Sequence, residues 1–274
     1  ILSSTGASRF YHSDGELAVA RSAAKANVIY GTTSSAMYSM EDVAAVAEGP
    51  RFFQVYVFKD RSVTKEYVTR CRASGYDAMF LTVDCATAGN RERDIRNELS
   101  VPPKVTPKIL WQLLNAPSWT FDYLANPGWR FPNIEAYLDE STKDDFNSAA
   151  EWFADQLDKT FSWDDAAELC QDWNGQFVIK GITSVADARK AVEIGATGIV
   201  VSNHGGRQLD HAPATLEVLP EIVAAVGDQL EVLVDSGYRR GTDIIKALAL
   251  GAKGVLLGKA YLYGLGAGGE AGVS

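Results

Sequence analysis

Cysteine is scarce in this chain, and the three present, Cys71, Cys85 and Cys170, stand far apart with no C-x-x-C pair. Such spacing suggests neither a zinc site nor a disulfide framework, and the default compartment is reducing and cytoplasmic. Long apolar runs are missing as well: none approaches the roughly 20 residues that cross a bilayer. Positive charge is in deficit, with 26 Lys and Arg against 35 Asp and Glu and a formal net charge of -9. A nucleic-acid binder is argued against, because it needs a basic face to displace phosphate counterions. The start, Ile1-Leu2-Ser3-Ser4, has no initiator Met and no charged n-region of an export signal. The end, Gly272-Val273-Ser274, falls where a helical pattern begins, so the chain reads as a fragment of a longer one.

What is present is a chain of 274 residues, 46% hydrophobic and 22% charged, enough for one large core. Eight short apolar runs alternate with helical patterns. They are Ile1 to Thr5, Val28-Ile29-Tyr30, Phe52 to Phe58, Ala78 to Asp84, Phe177 to Lys180, Gly198 to Val201, Val232 to Asp235 and Gly254 to Leu257. Ser39-Met40-Glu41-Asp42 has the spacing of a capping box. Gly75, Gly195 and Gly251 each stand where a left-handed residue would end a helix before the next strand. This alternation predicts an α/β fold, a (β/α)8 TIM barrel in one domain over 1–274. A doubly wound open sheet is the alternative, but no strand leads into the G-x-G-x-x-G turn of a dinucleotide site.

Polar residues collect at the strand ends: Thr5, Thr33, Gln54 with Tyr56, Thr82 with Asp84, Lys180, Ser202 with His204, Asp235 and Lys259. A barrel converges them on one mouth, where such folds carry their chemistry. One connection is far too long for a βα loop, an insertion over about 98–172 after the fourth run. Between 103 and 134 it holds Trp111, Trp119, Trp129, Phe121, Phe131 and Tyr123 with Lys104, Lys108 and Arg130, and it then turns acidic. Tryptophans beside local positive charge suit a membrane interface. A lid or oligomer contact packed on the barrel rim is the competing reading.

Ser202-Asn203-His204-Gly205-Gly206-Arg207-Gln208-Leu209-Asp210 follows an apolar strand and releases a base and a guanidinium together. By itself it is equally a Gly-rich turn. With Phe53-Gln54-Val55-Tyr56, Leu81-Thr82-Val83-Asp84, Arg91-Glu92-Arg93-Asp94, Val178-Ile179-Lys180-Gly181 and Asp235-Ser236-Gly237-Tyr238-Arg239-Arg240-Gly241, it resembles the FMN-dependent 2-hydroxy acid dehydrogenases and oxidases, in that family's order and across essentially the whole chain.

The resemblance implies oxidation of a 2-hydroxy acid, with two electrons passing to FMN. It makes His204 the base, Asp84 its partner, Arg207 and Arg91 the carboxylate anchors and Tyr56 the partner of the substrate hydroxyl. Read singly, Asp84 could cap a helix, Tyr56 could be a rim aromatic, and Arg91 could pair with Glu92 or Asp94. On the cofactor side it implies Lys180 at the flavin N1/O2 edge, and Gln54, Thr82 and Ser4-Thr5-Gly6 at the polar ring edge. Thr33 or Ser34 would add a side chain from the second strand. Ser202 and Asp235 would take the ribityl chain, with Gly237, Arg239, Gly258 and Lys259 near the phosphate.

Several positions depart from the common pattern. Ser236 stands where many members have Gly, Lys259 where many have Arg, and Ser4 where Pro is common. Ser35 replaces a bulky aromatic of the oxidases, and Gly6 stands where several oxidases have Ala. The Asp235-Ser236-Gly237 form, Gly6 and the Trp-rich insertion resemble the membrane-associated L-lactate and mandelate dehydrogenases most. The expected acceptor is then a quinone or other respiratory carrier, with peripheral contact at the inner face of the cell membrane through 103–134 and a homo-oligomeric state. Rival expectations are an oxidase that releases hydrogen peroxide and a non-catalytic flavin-binding barrel. Because an N-terminal segment and a last helix look missing, the outer layer is expected to be incomplete near the closure, with weak FMN binding or poor folding.

Overall fold

On a strand a residue and its second neighbour share a face, so an apolar position followed two places later by a polar one sends both the same way. This pattern organises the molecule. The computed structural model describes residues 1–86, 89–97, 106–127, 130–138 and 146–274. Among them, seven parallel strands pair in chain order: β1 (Tyr30–Thr33), β2 (Arg51–Val55), β3 (Ala78–Thr82), β4 (Gln176–Ile182), β5 (Gly198–Val201), β6 (Glu231–Val234) and β7 (Gly254–Val255).

The ends of this sheet meet through Leu2, which bridges in parallel to both Tyr30 and Leu257. Its N–H donates to Ile29 O at 2.8 Å, and the Gly31 N–H donates to Leu2 O at 3.0 Å. On the other side Leu257 N donates to Ile1 O at 2.9 Å and Ser3 N to Leu257 O at 2.8 Å. The expected eight-stave barrel is therefore closed, with Leu2 bridging β1 on one side and Leu257 on the other. Two boundaries also move. The second run pairs from Tyr30, leaving Ile29 38% exposed, and β2 ends at Val55, after which Phe58 pairs with Leu157 of the insertion instead of with the sheet.

Phe52, Phe80, Val178, Val200 and Leu256, with Ile1, Ala78 and Leu233 against them, fill the barrel interior. Phe52 and Phe80 stack at 3.8 Å between ring centroids. Gly31 belongs to the same layer and has to be Gly, because a Cβ there would strike the Phe52 ring. The alternate residues, among them Phe53, Val55, Met79, Leu81, Phe177, Ile179, Ile199, Val201, Val232 and Val234, face outward into the main core under the helices.

Those helices begin where capping is provided. Ser39 and Asp42 form the expected reciprocal capping box, and Ser162 with Asp165 forms another. Gly75, Gly195 and Gly251 have φ of +68, +82 and +100°, as left-handed helix ends require. The outer layer at the closure differs from expectation. A helical segment, Lys259–Val273, kinked where Gly268 and Gly269 leave helical geometry, follows β7 and packs Tyr261, Leu262 and Leu265 against Ala18, Val19, Ala20 and Ala23 of the helix Gly15–Lys25.

The insertion also ends earlier than 172. The helix Trp163–Trp173 buries Ala166, Leu169 and Trp173 in the main core and belongs to the barrel's outer layer. Before it, the insertion is pinned by Asn133, which is fully buried: its Oδ1 accepts from Met40 N at 3.1 Å and its carbonyl accepts from the Tyr67 hydroxyl at 3.0 Å. Lys104, Trp129 and much of the acidic stretch lie outside the described residues. No helix among the described residues is long and apolar enough to cross a membrane.

Candidate active site

Two residues beyond the apolar plug, each stave carries a residue that faces the mouth. Ile1 gives way to Ser3, Gly31 to Thr33, Phe52 to Gln54, Phe80 to Thr82, Val178 to Lys180, Val200 to Ser202, Leu233 to Asp235 and Leu256 to Gly258. A further two residues on, three strands present Tyr56, Asp84 and His204. Above this floor lies a cavity of about 540 Å³, within the range of about 300–1,000 Å³ common for small-molecule sites. Its walls include Ser4, Thr5, Gly6, Thr33, Gln54, Tyr56, Arg91, Lys180, His204, Arg207, Asp235, Gly237, Arg239, Gly258 and Lys259. Of the other residues singled out from the sequence, Ser34, Thr82, Asp84 and Ser202 stand behind that wall.

His204 Nδ1 lies 3.0 Å from Asp84 Oδ1. The approach depends on Gly181, at φ +114°, where a Cβ would stand 2.8 Å from that of Asp84. Burial pushes the Asp84 carboxyl up, but the His204 hydrogen bond and the charge of Lys180 outweigh it, leaving the group below the usual carboxylate range. Asp84 thus holds an imidazole and caps no helix among the described residues. Tyr56 packs edge-on to Phe153, its ring centroid 5.6 Å away. Its hydroxyl is pushed upward by burial and by the neighbouring Cys85, so it stays protonated. Arg91 donates to Gln208 Oε1 at 3.0 Å, whereas Glu92 pairs with Arg96. Burial and the charge of Arg207 both lower Arg91, with Asp94 offsetting only part of it, so the two guanidiniums share one positive field.

Beneath them Lys180 is 4% exposed, with its Nζ 3.0 Å from Asp235 Oδ2 and 3.1 Å from Ser202 Oγ. Burial lowers this ammonium, and the charges of Asp235 and Asp84 more than restore it, so it holds its proton above the usual lysine range. The Ser202 hydroxyl in turn accepts from His204 N at 3.1 Å. Ser236, at φ +82°, donates to Asp235 Oδ1 at 2.7 Å and accepts from Gly205 N at 2.9 Å and Asn203 N at 3.3 Å. Lysine, aspartate, serine and the His204 loop therefore form one closed ring of polar contacts. The loop turns on left-handed residues, His204, Gly205 and Gly206, with φ of +58, +70 and +67°.

At the far end Arg207, Arg239 and Lys259 stand beside the start of the helix Lys259–Val273, whose N-cap, Gly258, has no side chain to satisfy the first-turn amides. Burial and then the charge of Arg207 lower the Lys259 ammonium. Cations crowded at a helix N-terminus make an anion site.

The FMN-dependent dehydrogenase model matches residues 1–274. The chain belongs to the FMN-dependent dehydrogenase family. It is 42% identical over 274 residues to an L-lactate dehydrogenase of Pseudomonas syringae pv. syringae, covering 100% of this chain and 71% of that protein. It is also 42% identical over 262 residues to glycolate oxidase 1 of Oryza sativa subsp. indica, covering 96% and 65%. Among solved structures, the monotopic membrane protein (S)-mandelate dehydrogenase superposes with a TM-score of 0.93 at 38% identity, over 99% of this chain and 71% of that one. The chain thus spans 64–71% of the length of the curated relatives it matches first.

The residues present fit the family's cofactor. Gln54 Nε2, Thr33 Oγ1, Ser34 Oγ and Thr82 Oγ1 are buried near the cavity floor without a partner among the described residues. Buried polar atoms in that state call for a polar ligand edge. The cationic helix start suits a phosphate. Gly6 keeps the intervening wall thin, because a Cβ there would strike Ser35 Oγ. Sequence reasoning passed over three residues of this site: Gly181, the hydroxyl of Ser236 and the thiol of Cys85. The Gly181 signal was available in the Val178–Gly181 motif, and the other two depend on contacts between distant strand ends.

Proposed function

We propose that the chain oxidises an L-2-hydroxy acid, lactate foremost, to the 2-oxo acid, passing the electrons onward to a quinone or other respiratory carrier. The observation that carries this reading is the His204–Asp84 pair, 3.0 Å apart, on a cavity that also presents Arg91, Arg207 and Tyr56. FMN, when bound, supplies the two-electron acceptor. Gln54, Thr33, Thr82 and Lys180 would hold its ring edge, Ser202 and Asp235 its ribityl chain, and Gly237, Arg239, Gly258 and Lys259 its phosphate.

The chain's own residues divide the remaining work. Arg207 and Arg91 bind the substrate carboxylate, which neutralises their shared field. Tyr56, kept protonated, donates to the substrate hydroxyl or accepts from it. His204 takes one substrate proton on Nε2, because Nδ1 is engaged by Asp84, and the carboxylate stabilises the imidazolium that results. Lys180 would supply a fixed positive charge to stabilise the electron density a bound flavin gains.

A second observation supports work at a membrane surface. On the helices Pro107–Leu114 and Pro117–Ala125, Trp111 is 68%, Leu114 76%, Phe121 75% and Leu124 69% exposed. The same insertion also packs on the rim: Trp119 Nε1 donates to Phe10 O at 2.9 Å, and Asp122 accepts from Ser13 N at 2.8 Å. Both readings of the insertion thus find residues, the rim contacts facing inward and a patch of large apolar side chains facing out.

The test is anaerobic mixing of the flavin-loaded protein with a panel of 2-hydroxy acids. Bleaching by L-lactate, with mandelate next, is expected, followed by slow reoxidation in air and fast reoxidation by a quinone. Absence of bleaching by any member sinks the reading, and rapid reoxidation with peroxide release makes the enzyme an oxidase. Sedimentation with anionic vesicles, lost on Trp111→Glu with Phe121→Glu, tests the surface contact.

A further inference from the structure

Cys85 Sγ lies 3.3 Å from Asp84 Oδ1 and 3.6 Å from His204 Nδ1, and those two atoms are 3.0 Å apart. A thiol, a carboxylate and an imidazole, from two loops 119 residues apart in the chain, thus converge on one point. A tetrahedral Zn²⁺ with bonds of about 2.0–2.3 Å to S, N and O holds its ligand atoms about 3.4–3.6 Å from one another. The observed triangle needs adjustments of a few tenths of an ångström to match. Asp84 Oδ2 is buried with no partner among the described residues, so the carboxylate has a second oxygen in reserve. His204 forms part of the cavity wall, so the cluster is reached from the mouth.

We propose that Asp84, Cys85 and His204 form a binding site for a thiophilic divalent cation such as Zn²⁺, and that the bound ion shuts off the proton chemistry of His204. Scattered cysteines hide such a site in the sequence, since its ligands are neighbours only after the barrel closes.

The proton balance is explicit. The cation displaces the thiol proton to solvent, giving a metal thiolate, and the imidazole binds through Nδ1 as its Nε2–H tautomer. No electron is transferred. The tautomer explains the inhibition: the nitrogen facing substrate then carries a proton and cannot accept another. In the metal-free protein burial, and then the charge of Asp84, push the Cys85 thiol up to about 12, so it is protonated there. A divalent charge at the centre of the triangle reverses that preference. Lys180 acts on both Asp84 and Cys85, but its ammonium is already paired with Asp235 at 3.0 Å.

Binding is independent of the oxidation proposed above; only the inhibition rests on it. The test is a titration of the flavin-loaded protein with Co²⁺ as the spectroscopic probe and Zn²⁺ as the inhibitor. One Co²⁺ per chain is expected, with tetrahedral ligand-field bands and a thiolate charge-transfer band. Cys85→Ser should abolish the thiolate band and weaken binding by more than the roughly 10–100-fold that outer-shell changes cost, while Cys170→Ser should keep both. Zn²⁺ should block substrate bleaching of the flavin, and a chelator should restore it. No thiolate band, or one that survives Cys85→Ser or is lost in Cys170→Ser, overturns the proposal. Should Cys85→Ser not fold, wild-type protein decides: Zn²⁺ must protect Cys85 from alkylation in the peptide mass spectrum, and an unprotected Cys85 overturns the site. If no hydroxy acid bleaches the flavin, the Co²⁺ and alkylation readings still stand or fall by themselves.

Discussion

Ser236 holds the His204 loop at a cost in backbone strain, and two substitutions separate the gain from the cost. Its hydroxyl makes one bond to the Asp235 carboxylate at 2.7 Å and accepts two backbone N–H bonds, at 2.9 and 3.3 Å. A bond to a charged group contributes about 1.5–3 kcal/mol and each neutral one about 0.5–1.5 kcal/mol. Gly205 is exposed, and its N–H can turn to water, so the low end applies there. Ser236→Ala loses all three bonds and keeps φ at +82°, which sums to a destabilisation of about 2.5–5 kcal/mol. Ser236→Gly loses the same bonds but relieves a left-handed conformation that costs a non-Gly residue about 1–2 kcal/mol. The glycine variant should therefore melt higher than the alanine variant, by about 2–4 °C per kcal/mol for a chain near this size. Both should slow flavin reduction, by roughly 10- to 100-fold, because the imidazole is then held less closely. Thermal melts and stopped-flow bleaching read the two effects. An alanine variant as stable as wild type, or a glycine variant less stable than the alanine one, would refute this account of the ring.

Asp84→Asn should retain flavin and lose about 10²–10⁴ in bleaching rate, since the imidazolium loses its counter-charge. The folded-state carboxyl lies below its usual range, so its stabilisation is complete above about pH 4 and fades as pH falls through the lowered value; acid titration of the melting temperature should show wild type approaching the asparagine variant only at the acid end. Glu16 behaves oppositely. It is fully buried, accepts from Ser8 N at 3.2 Å and Met37 N at 3.1 Å, and is raised by burial. Folded protein holds a proton that the unfolded chain releases, so stability should fall as pH rises from about 4.3 through the raised value; Glu16→Gln should not show that fall, and identical pH profiles would contradict the assignment. Lys180→Met strands the Asp235 charge and should cost about 3–5 kcal/mol, with Lys180→Met plus Asp235→Asn recovering much of it; chemical denaturation of both variants is the check.

Much of the barrel was legible because a buried strand followed by small polar residues is a local signal. At every stave but the last, which ends at Gly258, the mouth-facing residue is a polar one two places past an apolar one, and that spacing is visible in the chain. Gly75, Gly195 and Gly251 announce their own conformation. What was hidden depends on partners distant in the chain. Nothing local says that Ser236 reaches back to the loop at His204, that Asn133 pins the insertion, or that Cys85 completes a triangle with His204. The early boundary of the second strand failed for a related reason: Val28 and Ile29 have the composition of a strand, but the register set by Arg51 starts pairing at Tyr30. The insertion's end was misplaced because the helix Trp163–Trp173 has the same acidic and aromatic composition as the segment before it.

The ring closes at a seam, where Leu2 bridges Tyr30 on one side and Leu257 on the other. Ser3–Gly6 form one lip of it and Gly258–Lys259 the other, and both lips are cavity wall. A molecule gripped by both lips crosses the seam, so its residence and the integrity of the ring become one equilibrium. Amide exchange at Gly31 and Leu257 would slow as the cavity fills.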